Sequence, residues 1–250
     1  MNSPLVSIIM PVFNDNKHVC EAIYSLLKQS YINIEVIAID DCSKDKSFAF
    51  LKDLSKIDKR VKIFKNKQHI GLTNCLNKGI LIAKGKYISR LDSDDLANKK
   101  RIEYQVSFLE KNKDIFLIGT GYTIFNEMGV CIKIRPPSNF KKLRLILEKK
   151  NIICHSSIMF RNESGIFYRN KFYFGQDYDF YLTLITMGKK ISCISQLLTR
   201  HRINPSGISC SYKRKQKQFR QKARFFYFER LRNGVDSYAH FNPNSILRKP

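Results

Sequence analysis

The sequence predicts an α/β fold built on a mixed, mainly parallel sheet that is flanked by helices. Two observations lead to this prediction. Short apolar runs alternate with segments of helical apolar spacing through the first hundred residues, in the order β-α-β-α-β-α-β. Two of the runs, 5–12 and 34–40, are almost continuously apolar, as is typical of strands covered on both faces. The 250 residues are enough for one such domain with a small appendage.

The first half of the chain alternates regularly between the two kinds of element. The predicted strands are 5–12, 34–40, 61–65 and 86–91. The predicted helices are 17–29, 45–57 and 71–84. Ser43 precedes the second helix and is its predicted N-cap, because a hydroxyl there accepts a hydrogen bond from the first turn.

The second half of the chain has a less regular pattern. The predicted helices are 98–111, 139–150 and 175–187. The predicted extended segments are 115–125, 156–160 and 190–198. Pro136-Pro137 marks a break before the helix over 139–150.

Polar side chains collect where the predicted parallel strands end. Asn14 and Asp15 follow the first strand, and Asp40 and Asp41 follow the second. Asp92, Asp94 and Asp95 follow the fourth. Ligands of open α/β sheets bind beyond the carboxyl ends of the strands. The sequence therefore predicts a binding site at this edge of the sheet.

The acidic run Asp92-Ser93-Asp94-Asp95 has two interpretations. Side chains two apart in an extended chain project to the same side, so Asp92 and Asp94 form a pair of hard ligands suited to Mg²⁺ or Mn²⁺. A metal ion held by few carboxylates keeps coordination positions open for phosphate oxygens and acts as a Lewis acid. The plainer interpretation is a turn in which Asp95 caps the helix over 98–111.

Several segments in a fixed order resemble the family 2 glycosyltransferases. Together they cover about residues 5–205, and their common order and spacing are more specific than any single motif. The segments are SIIMPVFN (7–14), VIAIDDCSKD (36–45), GLTNCLNKG (71–79), YISRLDSDD (87–95), RIEYQV (101–106), HSSIMFR (155–161) and QDYD (176–179).

The resemblance implies a GT-A fold, which is Rossmann-like, and a nucleotide-diphosphate sugar as donor. It also implies that the anomeric carbon of the transferred sugar is inverted. In this family Pro11, Phe13 and Asn14 would line the nucleotide pocket. Asp41 would face the base, which is commonly uracil.

The resemblance also assigns roles to the acidic side chains. Asp92 would approach the ribose or the donor sugar and join Asp94, the main ligand of Mn²⁺ or Mg²⁺. Asp177 would be the catalytic base, because an inverting displacement needs a carboxylate that takes the proton of the acceptor hydroxyl. Its plainer interpretation is a carboxylate favoured by the dipole at a helix N-terminus. Asp179 is a second candidate for the base.

The sequence departs from the pattern of the family at three places. Leu76 stands where some members have an Arg that helps to hold the diphosphate. His201 and Asn204 stand where relatives often have the Tyr and the His of a Tyr-Arg-x-His motif. Arg202 remains a predicted diphosphate contact, with a surface charge as the alternative. His155 either contacts donor or acceptor or is a hydrogen-bonded structural side chain.

The chain is strongly basic and has a basic, aromatic C-terminal segment. It contains 45 Lys and Arg against 21 Asp and Glu, a net charge of +24, and proteins of this kind usually meet polyanions. Basic and aromatic residues crowd together over 211–232. Three interpretations of this segment stay open: a helix that packs on the domain, a surface for an anionic membrane, and a nucleic-acid-binding segment.

We therefore predict a GT-A domain over 1–210, with a nucleotide-binding half (1–97) and an acceptor-binding half (98–210), and a basic tail over 211–250. The predicted function is inverting, metal-dependent transfer of a sugar to a glycan or lipid-linked acceptor in surface polysaccharide or lipopolysaccharide biosynthesis. A sugar nucleotidyltransferase is the alternative enzyme, although the residues after the first strand lack its glycine-rich, basic loop. A basic nucleic-acid-binding protein is the non-enzymatic alternative, disfavoured because the clustered carboxylates would repel phosphates.

The expected location is the cytoplasm, with peripheral attachment to the inner face of the plasma membrane. The N-terminal segment enters a predicted strand without a basic region or a cleavage site, which is unlike a signal peptide. The apolar stretches stay well below the ~20 residues of a membrane-spanning helix. The seven cysteines form no C-x-x-C pair, which indicates free or buried thiols in a reducing compartment.

Overall fold

The computed structural model describes residues 3–204 and 211–248 of the protein. These residues form a nine-stranded sheet in the order β3-β2-β1-β4-β8-β6-β9-β5, with β7 beside β6. Six strands run in one direction, and β5, β7 and β8 run in the other. The strands are β1 (Val6–Val12), β2 (Ile34–Asp40), β3 (Val61–Lys65), β4 (Tyr87–Arg90), β5 (Leu96–Ala97), β6 (Ile115–Asn126), β7 (Gly129–Ile134), β8 (Met159–Arg161) and β9 (Lys190–Arg202).

Helices cover both faces of this sheet. Within the described ranges they are α1 (Val19–Leu27), α2 (Ser47–Ile57), α3 (Leu72–Ile82), α4 (Arg101–Lys111), α5 (Phe140–Leu147), α6 (Gln176–Thr186), α7 (Lys213–Asn233) and the short α8 (Asn244–Leu247). Single 3-10 turns lie at His155–Ser157 and Ser237–His240. The predicted mixed, mainly parallel sheet flanked by helices is confirmed.

The central strand of the parallel half is β1, which pairs with β2 on one side and β4 on the other. Its alternate side chains enter two separate cores, because successive residues of a strand point to opposite faces. Ile8 and Met10 pack in the core that contains Ile23 of α1. Ile9 enters the other core, where α3 lies so close that a Cβ on Gly79 would be 2.5 Å from the Ile9 side chain.

Most predicted elements are present and differ from the observed ones at their ends. Strands 34–40 and 61–65 have the predicted bounds. The segment over 156–160 begins as the 3-10 turn, and β8 starts only at Met159. Strands β5 and β7 were not predicted. β5 has two residues, paired with Thr199 and Arg200 of β9, so its conformation depends on a partner about a hundred residues away.

Two predicted helix caps are wrong. α2 begins after Lys46, and Ser43 instead accepts a hydrogen bond from the Asn14 N–H at 3.0 Å. Asp95 does not cap α4, which begins after Lys100. The chain after Asp95 stays extended because β5 pairs with β9, and the Asp95 side chain is fully buried beneath that pairing.

The C-terminal helix α7 is packed on the domain. Phe219, Ala223, Phe226 and Tyr227 lie on one helical face and are fully buried. The interpretation that aromatic side chains of 211–232 pack on the domain is therefore confirmed for this face. The predicted boundary at residue 210 falls at the end of 205–210, outside the described residues.

Arg169 ties this C-terminal part to α6. Its guanidinium donates two hydrogen bonds to the buried carboxylate of Asp179 and one, at 2.6 Å, to Asp236. It also lies over the rings of Tyr238 and Phe226, at 4.4 and 4.9 Å from their centroids. The cation is thus compensated by two carboxylates and covered by aromatic faces, which is the environment in which a buried guanidinium is stable.

Replacing Arg169 by Met should lower the free energy of unfolding by about 3–5 kcal/mol, because Asp179 would remain buried without its cation. Chemical denaturation measures this change. Lys56→Met is the matched control: its ion pair with Asp53 is exposed, so the expected loss is about 0–1 kcal/mol. Equal stability losses in the two variants would contradict the role given to Arg169.

Candidate active site

The predicted edge of the sheet does bring the polar ends of β1 and β4 together. The Ser93 hydroxyl donates a hydrogen bond to Asp15 Oδ2 at 2.6 Å. Arg202, at the end of β9, joins them: its Nε donates to the carbonyl oxygen of Asp94 at 2.8 Å. The ends of β1 and β4, which were predicted to meet, therefore share one site with Arg202 from the end of β9.

The acidic run places three carboxylates against each other. One oxygen of each of Asp92, Asp94 and Asp95 lies within 4.8 Å of the other two. Burial raises the pKa of the Asp94 carboxyl to about 8, and the negative charges of Asp95, Asp92 and Asp15 add to the rise. This donor set of hard oxygens with unfavourable mutual repulsion fits a divalent cation of the Mg²⁺ or Mn²⁺ type.

Asp92 is held from within the protein. Arg90 is 2% exposed and donates from both terminal nitrogens to the two oxygens of this carboxylate. The Ser156 hydroxyl donates to Asp92 Oδ2 at 3.1 Å. The sequence did not single out Arg90, because its neighbours in the chain gave no sign that the side chain turns towards the site. Arg90 fixes the direction of Asp92 and compensates its charge.

Asp95 is compensated from the other side of the cluster. Its carboxylate accepts a hydrogen bond from the Arg202 N–H at 2.7 Å and pairs with His201 Nδ1 at 3.0 Å. Burial disfavours the charged form of His201, but the bond to Asp95 and the charge of Asp95 outweigh it and raise the pKa of the imidazole to about 9. His201, which replaces the Tyr of many relatives, is thus a cation beside the acidic run.

The predicted nucleotide residues lie on the β1 and β2 side of this edge. Pro11 is buried within β1, whereas the Phe13 ring is 47% exposed and lies 4.2 Å, centroid to centroid, from the ring of His69. Asn14 has a left-handed backbone with φ of 49°, and its Oδ1 accepts a hydrogen bond from the Lys44 N–H. Phe13 and His69 together offer an accessible aromatic surface, and His69 was missed by the sequence analysis.

The Asp41 carboxylate is hydrogen-bonded to the neighbouring loop of the same chain. The carboxylate is 3% exposed, and it accepts hydrogen bonds from the N–H groups of Ile70 and Gly71 and from the Asn66 side chain. Its Oδ2 also lies 2.9 Å from His69 Nδ1. Asp41 therefore orders the loop that carries His69, and most of its acceptor capacity is engaged there.

A cavity of about 590 Å³ is lined by Asp15 and Arg202, which are hydrogen-bonded to Ser93 and Asp94 of the acidic run. Asn14 and Arg202, both predicted donor contacts, line it. Asp15, which was predicted to lie at this edge, also lines it. The remaining lining residues were not predicted as contacts, and they come from the loop after β1, the β6–β7 turn and the end of β9: Asn16, Lys17, His18, Asn126, Glu127, Met128, Ile203 and Asn204. The β6–β7 hairpin is therefore part of the wall of the site.

Asp177 stands in the first turn of α6. Its Oδ2 accepts a hydrogen bond from Asn151 Nδ2 at 2.6 Å. Burial raises the pKa of this carboxyl, and the charge of Arg220 on α7 partly opposes the rise. A carboxylate with a raised pKa is a better proton acceptor than an ordinary aspartate.

The other candidates for contacts with a reactant are engaged in the core. Asp179 is fully buried and bound to Arg169, so it cannot reach an acceptor and is excluded as the base. His155 Nε2 lies 2.8 Å from the hydroxyl of Tyr168, and burial holds the pKa of this imidazole well below its usual range. This is the structural role that the sequence left open for His155. Leu76 is 1% exposed and belongs to the core of α3.

A Rossmann-like sheet with an acidic run at its carboxyl edge and an aspartate opening a later helix defines a GT-A glycosyltransferase. The chain belongs to glycosyl transferase family 2, whose family model matches residues 7–166. It is 32% identical over 225 residues to an uncharacterised glycosyltransferase of Methanocaldococcus jannaschii, an alignment that covers 88% of this chain and 78% of the relative. The predictions of the fold, of the family and of a transferase enzyme are confirmed.

Further relatives have named donors. The chain is 32% identical over 212 residues to the Escherichia coli UDP-Glc:α-D-GlcNAc-diphosphoundecaprenol β-1,3-glucosyltransferase WfgD, covering 84% of this chain and 81% of WfgD. Its fold matches S. aureus TarS 1-349 in complex with UDP-GlcNAc, with a TM-score of 0.73, 19% identity, and coverage of 97% and 70%. It also matches the mannosyltransferase PcManGT of Pyrobaculum calidifontis in complex with GDP-Man and Mn²⁺, with a TM-score of 0.70, 16% identity, and coverage of 99% and 73%.

Replacing Asp41 by Asn should lower the free energy of unfolding by about 1–3 kcal/mol. The amide NH₂ cannot accept the hydrogen bonds that one carboxylate oxygen now accepts from the 66–71 loop. Urea denaturation in the absence of nucleotide measures this effect separately from any contact with a base. Asp53→Asn, at an exposed position of α2, is the control; a loss no larger than that of the control would refute the ordering role of Asp41.

Proposed function

We propose that the protein transfers a sugar, with inversion and with the help of a divalent metal ion, from a nucleotide-diphosphate sugar to a glycan or lipid-linked acceptor. The proposed setting is surface polysaccharide or lipopolysaccharide biosynthesis. The observation that carries the proposal is Asp94, whose pKa is raised to about 8 between two acidic neighbours that already have their own cationic partners. A divalent cation would relieve the repulsion among these three carboxylates, whose nearest oxygens lie within 4.8 Å of one another, and the diphosphate of a sugar donor is the group that such a cation serves.

The proposed donor is a UDP-sugar. Support comes from WfgD, named for UDP-Glc, and from TarS, solved with UDP-GlcNAc, although PcManGT was solved with GDP-Man. In this proposal Pro11, Phe13 and Asn14 line the nucleotide pocket, and Asp41 faces the base while it orders the loop of His69. The exposed Phe13 ring is suited to stacking on a base.

The proposed metal ligands are Asp94 and Asp92, and the ion is Mn²⁺ or Mg²⁺. When bound, such an ion neutralises the charge of the departing diphosphate. Because both oxygens of Asp92 are engaged by Arg90, Asp94 is the main ligand in this proposal. Arg202 adds a cationic diphosphate contact, and the backbone carbonyl of Asp94 and the carboxylate of Glu21 orient its guanidinium.

The proposed base is Asp177. The hydroxyl oxygen of the acceptor attacks the anomeric carbon, and the bond from that carbon to the diphosphate oxygen breaks. The hydroxyl proton passes to Asp177, and the nucleoside diphosphate leaves with the electron pair. Asn151 donates a hydrogen bond to one oxygen of the carboxylate and so restricts its rotation. Attack from the side opposite the leaving group accounts for the inversion.

The proposed location is the cytoplasm, at the inner face of the plasma membrane. None of the helices within 3–204 and 211–248 is both long and apolar enough to cross a bilayer. The acceptor of WfgD carries undecaprenol, as its name states, and a lipid-linked acceptor here would require the same kind of contact with a membrane. In this proposal residues 1–97 bind the nucleotide and residues 98–210 bind the acceptor.

Adding UDP or a UDP-sugar together with Mn²⁺ should raise the melting temperature, whereas either component alone should have a much smaller effect. The reason is that Asp94 and the diphosphate share the ion. Asp94→Asn should remove this joint stabilisation, and Asp53→Asn, an exposed control, should retain it. A joint stabilisation that survives in Asp94→Asn would refute the metal assignment, and stabilisation by oligonucleotides alone would refute the transferase.

Replacing Asp177 by Asn should lower kcat by about 10²–10⁴-fold and leave donor binding intact, because only the proton acceptor is lost. In the unchanged protein, kcat should fall with decreasing pH through the raised pKa of Asp177, since protonation removes the base. The residual rate of Asp177→Asn should lack this acidic limb. Steady-state kinetics across pH test both expectations, with the exposed Asp114→Asn as control; an unchanged kcat or acidic limb would place the base elsewhere.

A further inference from the structure

The face of α7 that points away from the domain has a composition of its own. We define the outer face of α7 as the residues opposite its buried side, which recur at spacings of three and four: Arg214, Lys217, Gln221, Phe225, Phe228 and Arg232. All six are exposed. The described residues, 3–204 and 211–248, leave this face exposed along the helix, which is about six turns long.

The helix α7 is strongly basic. Residues 213–233 contain nine Lys and Arg and one acidic residue, Glu229. The Glu229 carboxylate is engaged with the N–H and hydroxyl of Ser237, so it does not neutralise the outer face. Of the nine cations, Arg230 is directed inward to Asp236, and Arg220 lies beside Gly175 on the domain side. Arg214, Lys217 and Arg232 lie on the outer face, which therefore carries three cations and no acidic residue.

The same face also exposes large apolar side chains. Phe225 and Phe228 are 49% and 37% exposed, and the neighbouring Leu231 is 47% exposed. They lie about one turn apart at the C-terminal end of the helix, beside a shallow depression of about 420 Å³. Lys222 Nζ lies 4.2 Å from the centroid of the Phe225 ring, so cationic and aromatic groups alternate on one surface.

We propose that the outer face of α7 binds an anionic phospholipid bilayer. Clustered Lys and Arg attract the negative surface of such a membrane, and aromatic and leucine side chains insert at the boundary of the headgroups. A second copy of the chain is a poor partner, because it would place one cationic outer face against another. Nucleic acid would match the charge, but the aliphatic Leu231 beside the two phenylalanines favours an apolar phase over stacked bases.

The inner side of the same helix borders the proposed catalytic base. Gly175 precedes α6 with φ of +64°, and a Cβ placed on it would be 3.2 Å from Arg220 Cγ on α7. Asp177 stands two residues further on, in the first turn of α6. If the transferase proposal is correct, a membrane bound at the outer face lies on the opposite side of α7 from the base, and it brings a lipid-linked acceptor to the domain that carries Asp177. This consequence rests on the proposed function; the binding of lipid does not.

The test is co-sedimentation of the full chain with vesicles, without donor or acceptor. The protein should bind vesicles that contain phosphatidylglycerol, bind pure phosphatidylcholine vesicles weakly, and dissociate as salt is raised. Arg214→Gln/Lys217→Gln/Arg232→Gln should weaken binding to the anionic vesicles by about 100-fold, from three lost attractions of roughly fivefold each. Phe225→Ser/Phe228→Ser should weaken it in both low and high salt.

Control variants remove the same number of charges, or one highly exposed apolar side chain, elsewhere. Lys52→Gln/Lys59→Gln/Lys111→Gln changes three exposed lysines on other elements, and Leu81→Ser removes an apolar side chain that is 71% exposed. Both controls should retain vesicle binding. In every variant, stabilisation by nucleotide and Mn²⁺ reports that the domain is folded. If the unchanged protein shows no such stabilisation, that result counts against the proposed transferase activity, whereas the measurement of vesicle binding remains valid.

Two outcomes would overturn the proposal. One is vesicle binding by the outer-face variants that equals binding by the control variants. The other is tight binding of single-stranded oligonucleotides by the unchanged protein together with no binding of anionic vesicles, which would assign the outer face of α7 to nucleic acid.

Discussion

The mutual repulsion of three carboxylates at the end of β4 is the constraint around which the site is built. Asp92, Asp94 and Asp95 follow one another in a partly buried turn, where charges of one sign interact strongly. The protein compensates the outer two with cations from distant parts of the chain: Arg90 for Asp92 and His201 for Asp95. Burial and the neighbouring negative charges raise the pKa of the middle carboxyl, Asp94, and a bound divalent cation would favour its charged form.

This compensation explains why the second, mixed half of the sheet (β5 to β9) matters to a site that the parallel half defines. β9 runs beside β6 and then reaches β5, and this pairing brings His201 and Arg202 to the acidic run. The N–H of Arg202 and the imidazole of His201 both contact Asp95, more than a hundred residues away in sequence. The β6–β7 turn closes the cavity on the same side. The site is therefore completed by long-range strand pairing rather than by the acidic motif alone.

The sequence was informative where local pattern decides the structure. Strand 34–40 was predicted with its observed bounds because it is almost continuously apolar and is followed by aspartates. The roles of Asp94 and Arg202 in one site came instead from the resemblance to the family, and the two residues do lie together. The two-residue β5 was missed because its conformation comes from β9, and the cap assigned to Asp95 failed for the same reason. His69 and Arg90 were missed because an isolated side chain carries no periodicity that shows which carboxylate it contacts.

The C-terminal helix α7 both packs on the core of the domain and lies beside the proposed base, Asp177. Its buried face belongs to the core through Phe219 and Phe226, and Arg169 fastens the segment after it to α6. Its Arg220 acts on the charge state of Asp177, since the cation partly opposes the effect of burial on that carboxyl. A helix that is rigidly packed beside the base cannot move without altering the electrostatics of the base. Any surface bound to the exposed side of α7 is therefore held at a fixed distance from the carboxylate that would receive the acceptor proton.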